Sequence, residues 1–151
     1  DLPSSVTTTS NEAYISFSSD SFSTRSGFTL TWNTAGDLLD CGEHINQDSG
    51  SLWLPARRDS KYKNNVDCYW VIVSSEDTLE LKFTSFSTER GKDYVYIRDG
   101  GSNSSCLLDY YSGDYFTMPP SVRTTTNKAF IHFTSDDAKT STGFELTWDT
   151  A

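Results

Sequence analysis

Residues Met118–Ala151 read MPPSVRTTTNKAFIHFTSDDAKTSTGFELTWDTA, and this stretch decides the fold because the chain contains it twice. Residues Leu2–Ala35 read LPSSVTTTSNEAYISFSSDSFSTRSGFTLTWNTA and align with it without a gap, more than half of the positions being identical. The copies start about 116 positions apart, which is the length of a domain rather than of a solenoid repeat. We therefore expect residues 1–35 to be the last strands of a partial repeat, 36–40 to be an acidic linker, and 41–151 to be one complete domain.

Apolar and polar residues alternate with a period of two through both copies. In the second copy the alternation covers Lys128–Thr134 and Gly143–Trp148, and in the first copy it covers Glu12–Ser18 and Phe28–Trp32. Each pair of runs predicts two half-buried antiparallel strands joined by a loop.

Further short apolar runs lie between the two copies. Runs typical of strands are Tyr69–Val73, Leu79–Phe86, Tyr94–Arg98 and Cys106–Tyr111, whereas 51–55 and 57–65 look irregular. The alternation shifts register at Phe86, which predicts a bend or bulge in that strand. Short strands at this spacing, without a long helical period, predict an all-β antiparallel sandwich.

The charge of the chain argues against two classes of partner. The formal net charge is -9 and the isoelectric point is about 4.5, so the surface repels phosphate backbones and anionic lipid headgroups. We therefore expect no nucleic-acid partner. No run is apolar enough to cross a bilayer, and we expect no membrane insertion.

Two features favour a secreted, extracellular protein. Three cysteines in a chain rich in Ser, Thr and Tyr are typical of an oxidising compartment, with one disulfide and one thiol left over. The triplet Asn103-Ser104-Ser105 is an N-glycosylation acceptor in a turn-forming stretch, which predicts a glycan on Asn103.

Residues that could support catalysis do not form a known arrangement. His44 is expected in a loop and His132 on the polar face of a strand, and neither has a nucleophile or a second metal-ligating residue at a suitable spacing. Trp32 and Trp148 recur at equivalent positions of the two copies, which favours sheet packing over a sugar-binding platform. We expect no enzyme.

The order of the remaining signals resembles the CUB domain family over the whole of Gly36–Ala151. The resemblance rests on Cys41-Gly42, Cys68-Tyr69-Trp70-Val71-Ile72, Phe83-Thr84-Ser85-Phe86, Asp93-Tyr94-Val95-Tyr96-Ile97-Arg98-Asp99-Gly100, Tyr111-Ser112-Gly113, Pro119, Phe133-Thr134-Ser135-Asp136 and Gly143-Phe144. The family fold is a jelly-roll-like sandwich of two antiparallel sheets. Its members are binding or scaffolding modules of extracellular proteins and are not themselves enzymes.

The resemblance implies one disulfide and the loss of another. It pairs Cys41 with Cys68, a bridge that would stabilise the fold by about 3 kcal/mol. The second disulfide of the family has no counterpart, because the short loop 89–93 lacks cysteine and the usual Tyr-Cys-Gly reads Tyr111-Ser112-Gly113. Cys106 is outside the family pattern and is expected to be either a buried inert thiol or an intermolecular disulfide partner.

The resemblance also implies a calcium site at one end of the sandwich. Glu89, Asp93 and Asp136 match the carboxylate ligands of the family, and Tyr62 is matched to its assisting tyrosine. Three carboxylates from distant stretches would repel one another unless a hard cation took their oxygens. Asp20 is the first-copy equivalent of Asp136, but the equivalents of the other two carboxylates are not in this chain.

The first copy raises the question of what covers its apolar residues. Two strands of about 35 residues do not form a stable fold in water by themselves, so their apolar face must be buried against its own neighbour, in a longer array, or in another molecule by strand addition. The predicted self-association residues are Tyr14, Phe17, Phe28, Leu30 and Trp32.

These expectations give two function hypotheses. The first is a structural or adhesive extracellular CUB protein that associates head-to-tail with other copies of itself or with adjacent CUB repeats, forming filaments rigidified by calcium. The alternative is a monomeric, calcium-dependent protein- or glycan-binding module of a larger secreted protease or receptor, with extracellular protein partners engaged through basic residues at the calcium site.

Overall fold

The structure is a computed structural model, which describes residues 6, 13–30, 43–55 and 60–151. The chain divides into two compact units, Asp1–Ala35 and Gly36–Ala151. The predicted linker 36–40 lies outside the described residues. That the first unit is the end of a CUB repeat stays a prediction.

The second unit is built from strands, and its described residues contain no helix. The strands in chain order are β1 (Glu43–Asn46), β2 (Gly50–Leu54), β3 (Asp67–Val73), β4 (Leu79–Ser87), β5 (Tyr94–Asp99), β6 (Cys106–Tyr111), β7 (Val122–Arg123), β8 (Lys128–Thr134) and β9 (Gly143–Thr150). They form a five-stranded sheet in the order β1-β3-β8-β5-β6 and a four-stranded sheet in the order β2-β9-β4-β7. The pair β1 and β3 is parallel, and the other strand pairs are antiparallel.

The inward-facing residues of both sheets make one apolar core. β3 and β8 bury Trp70 and Phe133, while β9 contributes Phe144 from the opposite sheet. The Phe144 ring lies 6.2 Å from the Trp70 ring and 5.9 Å from the Phe133 ring. Burial of rings and branched side chains between the layers supplies the main stabilising free energy. The all-β sandwich predicted from the sequence is confirmed.

The observed strands agree with the predicted ones where the alternation of apolar and polar residues is long, and they differ where the strands are short. The predicted register change in β4 is confirmed as a shift between Phe83 and Ser85. The prediction that 51–55 is irregular is wrong, because β2 pairs with β9 and buries Leu52 completely. His44 is not in a loop but in β1, and the two-residue β7 was not predicted. Such short strands are held by a longer neighbour rather than by their own pattern.

The first unit departs from the prediction of two strands. Residues 13–30 contain no strand, although Glu12–Ser18 and Phe28–Trp32 were predicted as a pair; Glu12 and Trp32 lie outside the described residues. The second copy gives the reason, because β8 and β9 belong to opposite sheets and take their hydrogen-bond partners from β3, β5, β2 and β4. Two such segments face each other without bonding to each other, so they make no ladder by themselves.

The ring packing of the first unit nevertheless matches that of the second unit. Phe17 and Phe28 lie with ring centroids 5.8 Å apart at an interplanar angle of 54°. Their equivalents Phe133 and Phe144, from opposite sheets, lie 5.9 Å apart at 53°. The contact that joins the two layers of the sandwich is therefore present in both copies.

The loop between these phenylalanines also shares two features in both copies. Asp20 Oδ1 accepts a 3.0 Å hydrogen bond from the backbone N–H two residues later, and Asp136 does the same at 3.0 Å. Gly27 and Gly143 close the two loops with φ angles of 77° and 79°, a left-handed conformation that glycine adopts readily. Residues 13–30 thus have the local conformation of one corner of a sandwich.

The described ranges contain no helix with the length and apolar character that a membrane span requires.

A leucine pair tests the assignment of the core. Leu146 of β9 is completely buried, whereas Leu107 of β6 is 41% exposed. Replacing Leu146 by alanine leaves a cavity, and we expect the free energy of unfolding to fall by about 2–5 kcal/mol. Leu107→Ala removes the same atoms from the surface and should lower it by about 0.5 kcal/mol or less. Urea unfolding measures both, and equal losses would contradict the assigned layers.

Candidate metal centre

Asp93 is the most deeply placed charge at the loop end of the sandwich. It immediately precedes β5, and its side chain is completely buried. Tyr62 donates its phenol hydrogen to Asp93 Oδ2 at 2.5 Å, and the backbone N–H of Asp136 donates to Oδ1 at 3.0 Å. Each carboxylate oxygen therefore has one hydrogen-bond donor, which offsets part of the cost of burying the charge.

Glu89 reaches the same place through a tight turn. The backbone N–H of Asp93 donates to the Glu89 carbonyl at 3.1 Å, and the N–H of Lys92 donates to the same oxygen at 3.3 Å. Gly91 adopts a φ of 74° within this turn. Because the chain reverses in so few residues, a spacing of four still places the two carboxylates on one side of the loop.

Asp136 enters from a distant part of the chain, two residues after the end of β8. Its backbone carbonyl accepts a 2.8 Å hydrogen bond from the N–H of Asn65. Since β5 and β8 are antiparallel neighbours, the start of β5 lies beside the end of β8, and Tyr94 pairs with Thr134. This register carries Asp93 and Asp136 to the same end of the sandwich.

Glu89, Asp93 and Asp136 offer one oxygen atom each, and these oxygens all lie within 4.8 Å of one another. Calcium binds oxygen at about 2.3–2.6 Å, so two ligands of one ion can be at most about 5 Å apart. The spacing suits a hard cation with oxygen ligands. That these residues bind one stays a prediction.

Within the described residues, the negative charge of Glu89 has few hydrogen-bond donors or positive charges beside it. Glu89 Oε2 is buried and has no hydrogen-bond partner there. Its other oxygen lies 3.8 Å from Lys139 Nζ, but that lysine side chain is 82% exposed, and such a contact contributes little. A buried carboxylate oxygen without a donor is costly, and a cation is the kind of ligand that removes this cost.

Tyr62 connects two of the acidic residues. It is buried and lies in edge contact with Phe133, while the backbone N–H of Glu89 donates to its phenol oxygen at 3.0 Å. Burial raises the pKa of the Tyr62 phenol, and its hydrogen bond to the Asp93 carboxylate raises the pKa further. The phenol therefore keeps its hydrogen and acts as a donor to Asp93.

The structure brings together the four residues predicted for the metal site, Tyr62, Glu89, Asp93 and Asp136. The predicted disulfide, thiol and glycosylation residues do not belong to this cluster. Cys68 is disulfide-bonded, and its predicted partner Cys41 lies outside the described residues, so the pairing stays a prediction. Cys106 is free and exposed, which excludes the buried inert thiol. Asn103 lies in the exposed turn between β5 and β6.

The histidines and the remaining site residues do not add to the cluster. His132 is on the outer face of β8, as predicted, with Nε2 2.5 Å from Asp67 Oδ1. Trp148 is buried, which confirms its role in packing. The sequence did not predict that Thr88 and Ser112 bond to the backbone of the loop 89–93. Thr88 carries no pattern that would have identified it, whereas Ser112 was noted only as the residue in place of a family cysteine.

Comparison with known proteins decides the family. A family model described as the CUB domain matches residues 41–148. The chain belongs to the CUB family. The resemblance seen in the sequence is confirmed, and the two-sheet arrangement described above is the CUB fold of this chain.

Among CUB proteins, human cubilin is 30% identical over 154 residues, which cover 98% of this chain and 4% of cubilin. Bone morphogenetic protein 1 of Xenopus laevis is 31% identical over 152 residues, covering 97% of this chain and 20% of that protein. The chain thus spans a small part of these relatives. The crystal structure of the MASP-1 CUB2 domain bound to Ca2+ superposes with a TM-score of 0.62 at 21% identity, covering 73% of this chain and 99% of that domain.

A phenylalanine at position 62 tests the geometry of the acidic cluster. Tyr62→Phe removes the donor to buried Asp93 and the acceptor for the N–H of Glu89, and we expect a loss of about 1–3 kcal/mol in the free energy of unfolding without calcium. Tyr110→Phe, at an exposed tyrosine of β6, is the matched control and should change stability little. If the two variants lose the same amount in urea unfolding, the Tyr62–Asp93 bond is not stabilising.

Proposed function

We propose that this chain is a non-catalytic, calcium-binding CUB module of an extracellular protein, and that it binds a protein partner at the calcium-bearing end. The observation that carries the proposal is the buried Glu89 Oε2, which has no hydrogen-bond donor among the described residues. It belongs to a cluster in which Glu89, Asp93 and Asp136 each place one carboxylate oxygen within 4.8 Å of the others. When bound, calcium supplies positive charge and coordination to these oxygens.

The protein's own residues give the ion a prepared set of ligands. The hydrogen bonds from Tyr62 and from the Asp136 N–H fix the orientation of the Asp93 carboxylate. The turn at Glu89 presents the second carboxylate, and Asp136 supplies the third. That the MASP-1 CUB2 domain has been solved with Ca2+ supports the choice of metal. Basic residues near the site, such as Lys139, would be released from Glu89 to contact a partner.

Extracellular location and lack of catalysis are parts of the same proposal. The disulfide at Cys68 suits an oxidising compartment. His132 has a carboxylate neighbour, but no hydrogen bond joins it to a serine or cysteine within the described residues. A hydrolytic set based on this histidine would require that contact.

A carboxylate-to-amide change tests the calcium proposal. Calcium at 100 times its dissociation constant should stabilise the chain by about 2.7 kcal/mol, raising the thermal midpoint measured by calorimetry. Asp136→Asn removes one ligand charge and should abolish most of this rise. Asp149→Asn, at an exposed position of β9, should keep all of it. A wild-type midpoint that does not move at millimolar calcium, against a chelator-treated sample, contradicts the proposal.

Self-association is a second candidate function, favoured by the first unit. Tyr14, Phe17, Phe28 and Leu30 are all about half exposed or more, with Phe17 at 71% and Phe28 at 63%. In the second unit the equivalents of these two phenylalanines, Phe133 and Phe144, are buried. Because residues 13–30 already have the conformation of a sandwich corner, they are suited to complete a sandwich supplied by an adjacent CUB repeat or by another copy.

Association would depend on this particular apolar surface. Phe17→Ser should lower the apparent association constant of the full chain, measured by sedimentation velocity over a concentration series, by on the order of tenfold or more, because a buried phenylalanine contributes about 1.5–3 kcal/mol. Phe116→Ser removes a fully exposed phenylalanine of the second unit and is the control. A wild-type chain that remains monomeric throughout, or equal effects of the two variants, would rule out this candidate.

A further inference from the structure

We propose that Ser112 is a positioning residue for the calcium site, and that its hydroxyl holds the Glu89–Asp93 loop in the shape that binds the ion. This inference rests on the calcium-binding function proposed above. It concerns a residue that is not among the carboxylates of the cluster and that directly follows β6.

The Ser112 hydroxyl makes one hydrogen bond in each direction. It donates to the Glu89 carbonyl oxygen at 3.1 Å, and it accepts from the Gly91 N–H at 2.8 Å. These two bonds join the first half of the turn to the end of β6. The Glu89 carbonyl also receives the N–H groups of Lys92 and Asp93, so the serine bonds to the same atom that closes the turn.

Thr88 and Gly113 make a second connection beside the first. The Thr88 N–H donates to the Gly113 carbonyl at 3.0 Å, and the Gly113 N–H donates to Thr88 Oγ1 at 2.9 Å. Thr88 Oγ1 in turn donates to the Asp93 carbonyl at 3.1 Å. Both ends of the loop 89–93 are therefore connected to the residues that follow β6. Glu89 is bonded to the Ser112 hydroxyl, and Asp93 is connected to Gly113 through the Thr88 hydroxyl.

The loop needs such support for an electrostatic reason. Glu89 and Asp93 carry like charges whose oxygens are held within 4.8 Å, and repulsion between them favours an opened loop when no cation is bound. Gly91 lies in the middle with a left-handed φ of 74°, and glycine has more conformational freedom to lose than other residues. The Ser112 bonds act on this glycine and on the backbone of Glu89.

Ser112 occupies the position of a family cysteine. Residues Tyr111-Ser112-Gly113 stand where the family resemblance implies Tyr-Cys-Gly, and the loop 89–93 has no cysteine to pair with it. The loop and the end of β6, which a disulfide would join covalently, are joined here by hydrogen bonds of a serine. If these bonds already order the loop in the calcium-free protein, less of the free energy of calcium binding is lost to ordering it.

Calcium titration calorimetry of the full chain tests this role. Ser112→Ala removes both hydroxyl bonds, and we expect the calcium dissociation constant to rise on the order of tenfold, as for other residues that orient metal ligands. Ser112→Thr keeps the hydroxyl and should stay within about threefold of wild type. Ser104→Ala, in the turn at the far end of β5, is the matched control and should leave the constant unchanged.

A second readout needs no calcium. The Gly91 amide is bonded to Ser112, so its hydrogen exchange in the calcium-free protein should become faster in Ser112→Ala than in Ser104→Ala by NMR. Calcium affinity of Ser112→Ala equal to wild type, unchanged Gly91 exchange, or equally weak binding by Ser112→Thr and Ser112→Ala would each overturn the positioning role. A wild-type chain that binds no calcium would overturn the proposed function as well as this inference.

Discussion

The end of the sandwich is organised by one buried charge, the Asp93 carboxylate. A charge that is fully removed from water costs several kcal/mol unless donors or counter-charges surround it. Two donors do so here, the Tyr62 phenol and the Asp136 N–H, and they come from stretches far apart in sequence. Satisfying Asp93 therefore brings the loops at 62, 89–93 and 136 together. The same convergence places two more carboxylates beside it, and their remaining repulsion is what makes the site suited to a cation.

The sandwich topology accounts for the different states of the two repeated stretches. β8 and β9 are consecutive in the chain but lie in opposite sheets, so the loop between them crosses from one layer to the other. Such a segment contains both rings of the contact between the layers, as the matching phenylalanine pairs show. It does not contain the neighbouring strands to which its backbone would hydrogen-bond. Residues 13–30 consequently keep the ring contact of the sandwich corner without its hydrogen-bonded neighbours, and they expose apolar side chains whose equivalents are buried between the two sheets of the second unit.

Alternation of apolar and polar residues was enough to predict the long strands, because β5 and β9 bury alternate residues over most of their length. It could not predict β1, β2 and β7, whose pairing depends on neighbours distant in sequence. The same limit explains the error at residues 13–30, since no local pattern reports which sheet a strand joins. The acidic cluster was predictable from the order of family signals around Glu89, Asp93 and Asp136. Ser112 was not, because its role depends on two hydrogen bonds that only the folded loop creates.

A crystal structure of the full chain grown with saturating calcium would show whether the three carboxylates bind the ion. We expect one ion at the loop end, coordinated by oxygens of all three carboxylates at about 2.3–2.6 Å, with Glu89 Oε2 turned to the metal or to a metal-bound water. An ordered loop 89–93 with Glu89 Oε2 still buried and unpartnered, and no ion among the three carboxylates, would contradict this expectation.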